Sequence, residues 1–295
     1  MSIGSQKIEI DARQNMVINR DYAPILSENG LMDFDGFYQY GGGTLVKQIR
    51  ERSVTRLEVH PCGKTSVFFL KRHIAERLGV CARIAAWVSG RSTSPGMAEF
   101  ETICEFRENG IPTVAPVAAG ERQLSFFRYE SFLVTEDVSP FISLEKLIHD
   151  HPEKLSGPIG QQRKHRIISA IARLARTMHE KGLNHRDFNA THVLIGPEDK
   201  DGEFSLALFD LQRVDRKKWM RFKWGIKILA ELFYSMPAPL FDENDRTTLF
   251  QTYHRTKRLR LTDRALLVWI QRKTSRIARH TRKIRARRRS SHKAS

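Results

Sequence analysis

Leu183-Asn-His-Arg-Asp-Phe-Asn-Ala-Thr-His-Val-Leu-Ile195 is the stretch on which the reading of this 295-residue chain turns. Upstream of it, Ile167, Ile171, Leu174 and Met178 recur at spacings of 4, 3 and 4. That is one face of a long helix, introduced by Gly157-Pro158 and ended by Gly182. Downstream, Val193–Ile195 and Leu206–Phe209 are short apolar strands across the polar loop Gly196–Glu203. The quoted segment is therefore a loop that leaves a helix and enters a strand, and it carries Asp187. A second aspartate, Asp210, follows the next strand, 23 positions later. Two aspartates at the ends of adjoining short strands suit phosphoryl transfer. One can orient and deprotonate an attacking hydroxyl, and the other can hold Mg²⁺ against nucleotide phosphates.

Farther upstream the pattern changes to strands. Thr44–Ile49 and Val54–Val59 are β-prone runs around the short polar turn Glu51-Arg52-Ser53, which predicts a hairpin. Ser66–Lys71 is a third strand, and Val114–Ala118 and Phe126–Val134 are two more. Between them Ala98–Asn109 reads as a helix with Phe100, Ile103, Cys104 and Phe106 as its apolar positions, stopped by Gly110 and Pro112. After Pro140 the composition becomes helical: Ser143 caps a short helix to His149, the long helix follows, and Trp224–Ser235 and Arg264–Ile270 are two more. The expected fold class is α+β, a β-rich first lobe with one helix and a mainly helical second lobe with a small embedded hairpin. Residues 1–40 read as an N-terminal extension, 41–138 and 139–270 as the two lobes, and 271–295 as a basic tail.

Composition bounds the function. Hydrophobic residues make up 40% and charged residues 28%, which is globular. No apolar run approaches the roughly 18 residues that a membrane-spanning helix needs. The first residues, MSIGSQKIEIDARQ, are polar and mixed in charge, unlike a secretory leader, so a cytosolic protein is expected. Cys62, Cys81 and Cys104 are odd in number and widely spaced, which argues against disulfides and a cysteine zinc site. His60, His73, His149, His151, His165 and His179 show no paired metal-ligand spacing, and neither G-x-S-x-G nor H-E-x-x-H occurs. Fifty basic against 33 acidic residues give a net charge of +17. Residues 271–295 hold 11 Lys or Arg and no Asp or Glu, so 17 − 11 leaves the rest only mildly basic at +6. A second basic cluster, Arg216–Trp224, interleaves cations with aromatics; both features suggest a polyanionic neighbour.

His185-Arg186-Asp187, with His192 five positions beyond Asp187, resembles the H-R-D-x-x-x-x-N catalytic loop of the protein-kinase superfamily. The resemblance implies a two-lobed protein-kinase-like fold that uses ATP and Mg²⁺. It implies that Asp187 is the catalytic base and Asp210 the metal-binding aspartate. Lys71, ending the third strand, matches the lysine that grips the α/β-phosphates, and Glu99 in the following helix matches its partner. Glu101 and Glu105 compete for that place on the same helix. The order and spacing fit, with 28 positions from Lys71 to Glu99 and 88 more to Asp187. The backbone from Glu136 to Val138, in Val-Thr-Glu-Asp-Val, falls where the adenine-binding hinge belongs.

A nearer resemblance is to the lipopolysaccharide core kinases, which phosphorylate inner-core heptose or Kdo sugars. It rests on His185-Arg-Asp-Phe-x-x-x-His192, on Asp210-Leu-Gln-Arg213 followed by a basic segment, and on Glu99-Phe-x-x-Ile-x-x-Phe-x-x-x-Gly-Ile-Pro-Thr113. It spans roughly residues 44–235. It implies an inner-core sugar hydroxyl as acceptor and a place on the cytoplasmic face of the inner membrane. The chain also departs from the wider superfamily. No G-x-G-x-x-G precedes Lys71, Gly41-Gly42-Gly43 lies before the first strand, and Arg52 in the hairpin turn is the candidate cation of a phosphate lid. His192 stands where protein kinases have asparagine, and imidazole is a poorer Mg²⁺ ligand than a carboxylate or amide oxygen. Only 13 residues separate Asp210 from Trp224 and no A-P-E is present, which leaves little chain for docking a peptide and favours a small or sugar acceptor. Three readings of the tail stand: the anionic membrane surface, nucleic acid, or plain solvent. A lipid-linked acceptor favours the membrane and leaves nucleic acid weakest. Two rival functions remain open, another small-molecule or RIO-type kinase, and a pseudokinase that serves as a binding module.

Overall fold

A computed structural model describes residues 8–11, 15–60, 65–77, 80, 84, 88, 91–92, 94–125, 128–216 and 218–293. Cys62 and Cys81 lie outside them; Cys104 is a buried free thiol whose burial pushes its pKa up to about 12. The chain forms two compact units, Met1–Ser139 with Asp210–Gln212, and Pro140–Phe209 with Arg213–Ser295.

The first unit is built on one seven-stranded antiparallel sheet. Its strands are β1 (Ile8–Asp11), β2 (Met16–Asn19), β3 (Thr44–Ile49), β4 (Arg52–Val59), β5 (Ser66–Arg77), β6 (Pro116–Ser125) and β7 (Arg128–Glu136), in the spatial order β1-β2-β6-β7-β5-β4-β3. β4 alternates strictly, burying Val54's neighbours Ser53 and Thr55 together with Leu57 and Val59, as a strand with one wet face does. β3 is exposed along its length and forms the edge. The hairpin differs from expectation in its turn. Ile49 pairs with Arg52, so the two-residue turn is Arg50-Glu51, and Arg52 and Ser53 already belong to β4. Arg50 takes the positive φ of 53° that a two-residue turn matched to strand twist demands. Gly43 enters β3 at φ +100°, where a Cβ would lie 2.5 Å from the Arg56 carbonyl oxygen. The glycine is thus required by close packing.

Residues 15–40, read from the sequence as an extension, fold into this unit. β2 pairs with β6, and two short helices, α1 (Ala23–Glu28) and α2 (Phe34–Tyr38), cover one face of the sheet. Leu26, Leu31, Phe34 and Phe37 join Leu57, Phe68, Leu70, Phe132 and Val134 in a single core. Phe37 stacks on Phe132 at 4.7 Å. Burial of each such side chain contributes about 1.5–3 kcal/mol, more than a short helix can gain from its own hydrogen bonds. The third helix, α3 (Pro95–Glu108), lies close enough to β7 that a Cβ on Gly96 would be 2.4 Å from the Phe132 carbonyl oxygen.

The second unit is mainly helical. Ser143 accepts a hydrogen bond from the Lys146 amide and caps α4 (Leu144–Asp150), as its sequence position predicts. α5 (Gly157–Glu180) buries Ile167, Ile171, Leu174 and Met178 on one face, the predicted stripe. α6 (Arg221–Ser235) buries Trp224, Ile228, Leu229 and Leu232. α7 (Glu243–His254), not expected from the sequence, starts with a capping box between Asp242 and Asp245. Lys164 on α5 reaches Asp245 at 2.7 Å in the interior and fixes α7 there. α8 (Leu261–Lys293) is one continuous helix, so the basic tail has no boundary at residue 270. Small sheets complete the unit: β8 (Ile142–Ser143), β10 (Val193–Glu198) and β11 (Phe204–Leu208) in one, β9 (Asn184–His185) and β12 (Val214–Asp215) in the other.

Candidate active site

In the first unit, β5 sits inside the sheet with Lys71 in register between Val54 of β4 and Leu133 of β7. Glu99 projects from α3 and is 2% exposed. Both its carboxylate oxygens lie 2.9 Å from Lys71 Nζ. The rival glutamates are engaged elsewhere. Glu101 accepts from the Ser92 hydroxyl at 2.6 Å, and Glu105 pairs with Arg91 at 2.9 Å. Gly96 and Ser131 set this geometry: the missing side chain lets α3 approach β7, and the Gly96 amide donates to the Ser131 hydroxyl at 3.2 Å.

Lys71 Nζ also lies 3.2 Å from Asp210 Oδ1. Burial alone would lower the Lys71 pKa, but the Glu99 and Asp210 carboxylates outweigh it and hold the ammonium above its ordinary value. Asp210 adopts φ 59°, a left-handed conformation that aspartate tolerates better than most residues. Its side chain is 41% exposed. One ammonium against two carboxylates leaves a net charge of −1, with one carboxylate open to solvent. That donor chemistry fits a hard divalent cation completed by phosphate oxygens. Among the described residues no cluster of three or more His, Cys, Asp or Glu could hold a metal on its own, and Mg²⁺ ordinarily relies on one or two carboxylates plus substrate phosphates.

Arg52 donates to the Gln212 side-chain oxygen at 3.2 Å, two residues from Asp210. The hinge candidates end β7. The Glu136 amide donates to the Ala115 carbonyl and the Asp137 amide to the Val67 carbonyl, while the Glu136 carboxylate accepts from the Tyr22 hydroxyl at 2.8 Å. Val138 is thus the next amide along the segment.

In the second unit, Asp187 sits on the loop after β9, which pairs with β12 through His185–Val214 and Asn184–Asp215. The Arg186 amide donates to the Arg213 carbonyl at 2.8 Å, and the fully buried Phe188 ring anchors the loop on its other side. His192 Nδ1 lies 2.8 Å from the Asp187 carbonyl oxygen. The ring nitrogen facing a carbonyl carries the proton, so His192 holds the Asp187 backbone. Arg213 lies 3.0 and 3.3 Å from the two Asp187 carboxylate oxygens. Lys227 of α6 donates to the Arg186 carbonyl.

Beneath the loop runs a buried chain of hydrogen bonds. His179 bridges the Tyr253 hydroxyl at 2.7 Å and Asn184 Oδ1 at 3.1 Å, and Asn184 donates to Asp215 at 3.2 Å. Burial pushes the His179 pKa down to about 4, so the ring is neutral at pH 7. Gly225 makes room for the Tyr253 hydroxyl, which would stand 2.7 Å from a Cβ there.

The structure thus gathers Lys71, Glu99 and Asp210, ties Arg52 to the Asp210 segment, and joins His192 to Asp187. Sequence reasoning assigned no role to Arg213 or Lys227. Arg213 lay inside a quoted motif, so its signal was available; Lys227 had none, because its contact spans 41 residues of chain.

Comparisons with known proteins agree on one family. The family described as "Lipopolysaccharide kinase (Kdo/WaaP) family" matches residues 43–253. The lipopolysaccharide core heptose(I) kinase WaaP of Pseudomonas aeruginosa is 30% identical over 240 residues, 80% of this chain and 86% of that protein. A 3-deoxy-D-manno-octulosonic acid kinase of Mannheimia succiniciproducens is 28% identical over 113 residues, 38% of this chain and 43% of that protein. A solved structure described as WaaP in complex with acyl carrier protein superposes with a TM-score of 0.64 at 28% identity, covering 88% of this chain and 98% of that one.

Proposed function

The chain belongs to the lipopolysaccharide kinase (Kdo/WaaP) family, and from that premise we propose that it transfers the γ-phosphoryl group of ATP to a heptose or Kdo hydroxyl of the lipopolysaccharide inner core. The observation that carries this reading is Lys71 Nζ held at 2.9 Å by Glu99 and at 3.2 Å by Asp210. A part-buried ammonium kept charged and aimed by two carboxylates is a grip for nucleotide phosphates.

Each residue then has a task. Lys71, positioned by Glu99, binds the α- and β-phosphates. Asp210 holds Mg²⁺, which supplies charge neutralisation of the phosphates when bound. Arg52 covers the phosphates from the β3–β4 hairpin, in place of a glycine-rich loop. The Glu136 carbonyl and Val138 amide take the adenine edge. Asp187 orients the acceptor hydroxyl and accepts its proton as the oxygen bonds to the γ-phosphorus; the bond to the β–γ bridging oxygen breaks and ADP leaves. His192 acts mainly by fixing the Asp187 backbone, and its weakness as a magnesium ligand makes one Asp210-held ion the main site. Most of the rate gain comes from positioning and charge neutralisation.

The working place is the cytoplasmic face of the inner membrane. Among the described residues no helix is long and apolar enough to cross a membrane. The cations of residues 271–295, with exposed Val268 and Trp269 beside them, support contact with an anionic surface, each charge near it adding on the order of 1 kcal/mol. Ile270, next to Trp269, is fully buried.

The test is transfer from γ-labelled ATP to purified, dephosphorylated core lipopolysaccharide. Label in the lipid–sugar fraction is expected, and the labelled fragment names the sugar. Label exclusively in protein serine would overturn the sugar reading.

A further inference from the structure

The loop that carries Asp187 is surrounded by more positive charge than its own carboxylates balance. Lys227 and Glu231 lie one helical turn apart on α6, and both sense the Asp187 charge. The first half of α8 packs along α6: Ile270 is buried, and the Thr274 hydroxyl donates to the Ala230 carbonyl at 3.2 Å. That packing puts Lys273 within the field of Glu231, Lys227, Lys223 and Arg276. Arg186 and Arg213 complete the set around Lys227. Six cations, Arg186, Arg213, Lys223, Lys227, Lys273 and Arg276, therefore stand against two carboxylates, Asp187 and Glu231, of which Asp187 is already paired with Arg213. Lys227 and Lys273 are both half-buried, and burial lowers the pKa of each. Crowding desolvated like charges is unfavourable unless an anion joins them. The local carboxylates do not supply it.

We propose that Lys227 and Lys273 form an oxyanion subsite beside Asp187 that receives a carboxylate or phosphate already carried by the acceptor, so that α8 is a specificity element and not only a tail. The inference rests on the sugar-kinase reading above. Lys227 serves two ends, since its bond to the Arg186 carbonyl fixes the loop while its charge faces the subsite. Lys273 makes no such backbone bond and is the cleaner probe. A charge-assisted contact of this kind is worth roughly tenfold in affinity or more.

The experiment compares three acceptors: a native acceptor, which is core lipopolysaccharide from cells lacking this kinase so that the target hydroxyl is free, the same material with its remaining phosphates removed, and the same with its sugar carboxylates reduced to alcohols. KM is measured for each with wild type, Lys273→Ala, Lys273→Arg and Arg272→Ala. Wild type is expected to lose about tenfold in KM on one of the two neutralised acceptors, which identifies the anion as phosphate or carboxylate. Lys273→Ala is expected to raise KM on the native acceptor and to abolish that discrimination; Lys273→Arg should restore it. Arg272→Ala, an exposed neighbour on the same helix, should keep the wild-type ratio. Taking the ratio within each variant cancels any general damage to the fold. Equal KM on all three acceptors for wild type, an unchanged ratio in Lys273→Ala, or an equal loss in Arg272→Ala would each overturn the subsite while leaving the kinase reading intact. Absence of transfer by wild type to every acceptor would overturn that reading and the subsite with it.

Discussion

The groups around Lys71 and those around Asp187 are opposites in charge. At Lys71 one ammonium meets two carboxylates, and Glu99 is almost fully buried between α3 and the sheet. Around Asp187 and Lys227, six cations meet two carboxylates. The first surplus is negative and suits a divalent cation. The second is positive and suits an anionic acceptor. The proposed reaction, which holds nucleotide phosphates through a metal and a charged sugar directly, uses both imbalances. For stability alone, paired or apolar groups would serve better.

The comparison can be broken at either side. The largest effect is expected from Asp187→Ala, which should lower single-turnover transfer by about 10³-fold, roughly 4 kcal/mol, while leaving ATP affinity within about twofold. Next comes the support under the Asp187 loop. His179 is buried neutral, with a pKa of about 4 against an ordinary value near 6.5. A depressed histidine favours the fold above the unfolded pKa, and that contribution is lost as pH falls. Stability should therefore drop by up to about 3 kcal/mol between roughly pH 6.5 and 4. Denaturant melts across that window should show the fall, and His179→Gln should flatten it at some cost in stability at pH 7.

Glu99→Gln should follow at about 10²-fold in kcat/KM for ATP, with acceptor KM nearly unchanged, because Lys71 keeps its charge but loses its aim. The smallest effect is expected from Lys227→Met. It removes the bond to the Arg186 carbonyl and one cation, and should cost about tenfold in kcat/KM for the acceptor and little for ATP. Effects of Glu99→Gln on the acceptor, or of Lys227→Met on ATP, as large as those on the expected ligand would dissolve the division between the two regions.

What could be read from the sequence follows from how each region is built. Lys71, Glu99 and Asp210 sit at the ends or faces of regular elements, so the kinase resemblance could be laid on them in order along the chain. Even the choice of Glu99 over Glu101 and Glu105 needed the structure, because all three share one helix and only packing at Gly96 decides which faces β5. The Asp187 region resists such reading. Asp187 itself was legible from its motif, but Lys227 meets the Asp187 loop from a distant helix, Lys273 is carried toward Lys227 by the packing of α8 on α6, and nothing local marks either. Lys273 read as one more cation of a basic tail placed on the membrane surface; Ile270 and Thr274, which seat α8 on α6, are two residues among many cations. Residues 15–40 were underestimated for a related reason. Each of their elements is only 4 to 6 residues long, too short to show a period, and their aromatics matter only once the sheet is there to receive them. The start of α7 did carry a signal, Asp242-Glu-Asn-Asp245, which is a capping pattern without the apolar stripe that usually follows it.

The most direct test of this division of labour is a paired measurement on one Asp187→Ala preparation. It joins ATP affinity in the presence of Mg²⁺ with single-turnover transfer of γ-label to core lipopolysaccharide. Wild-type affinity with label absent from the lipid–sugar fraction is the predicted result. Transfer at the wild-type rate, or loss of ATP binding in parallel with transfer, would contradict it.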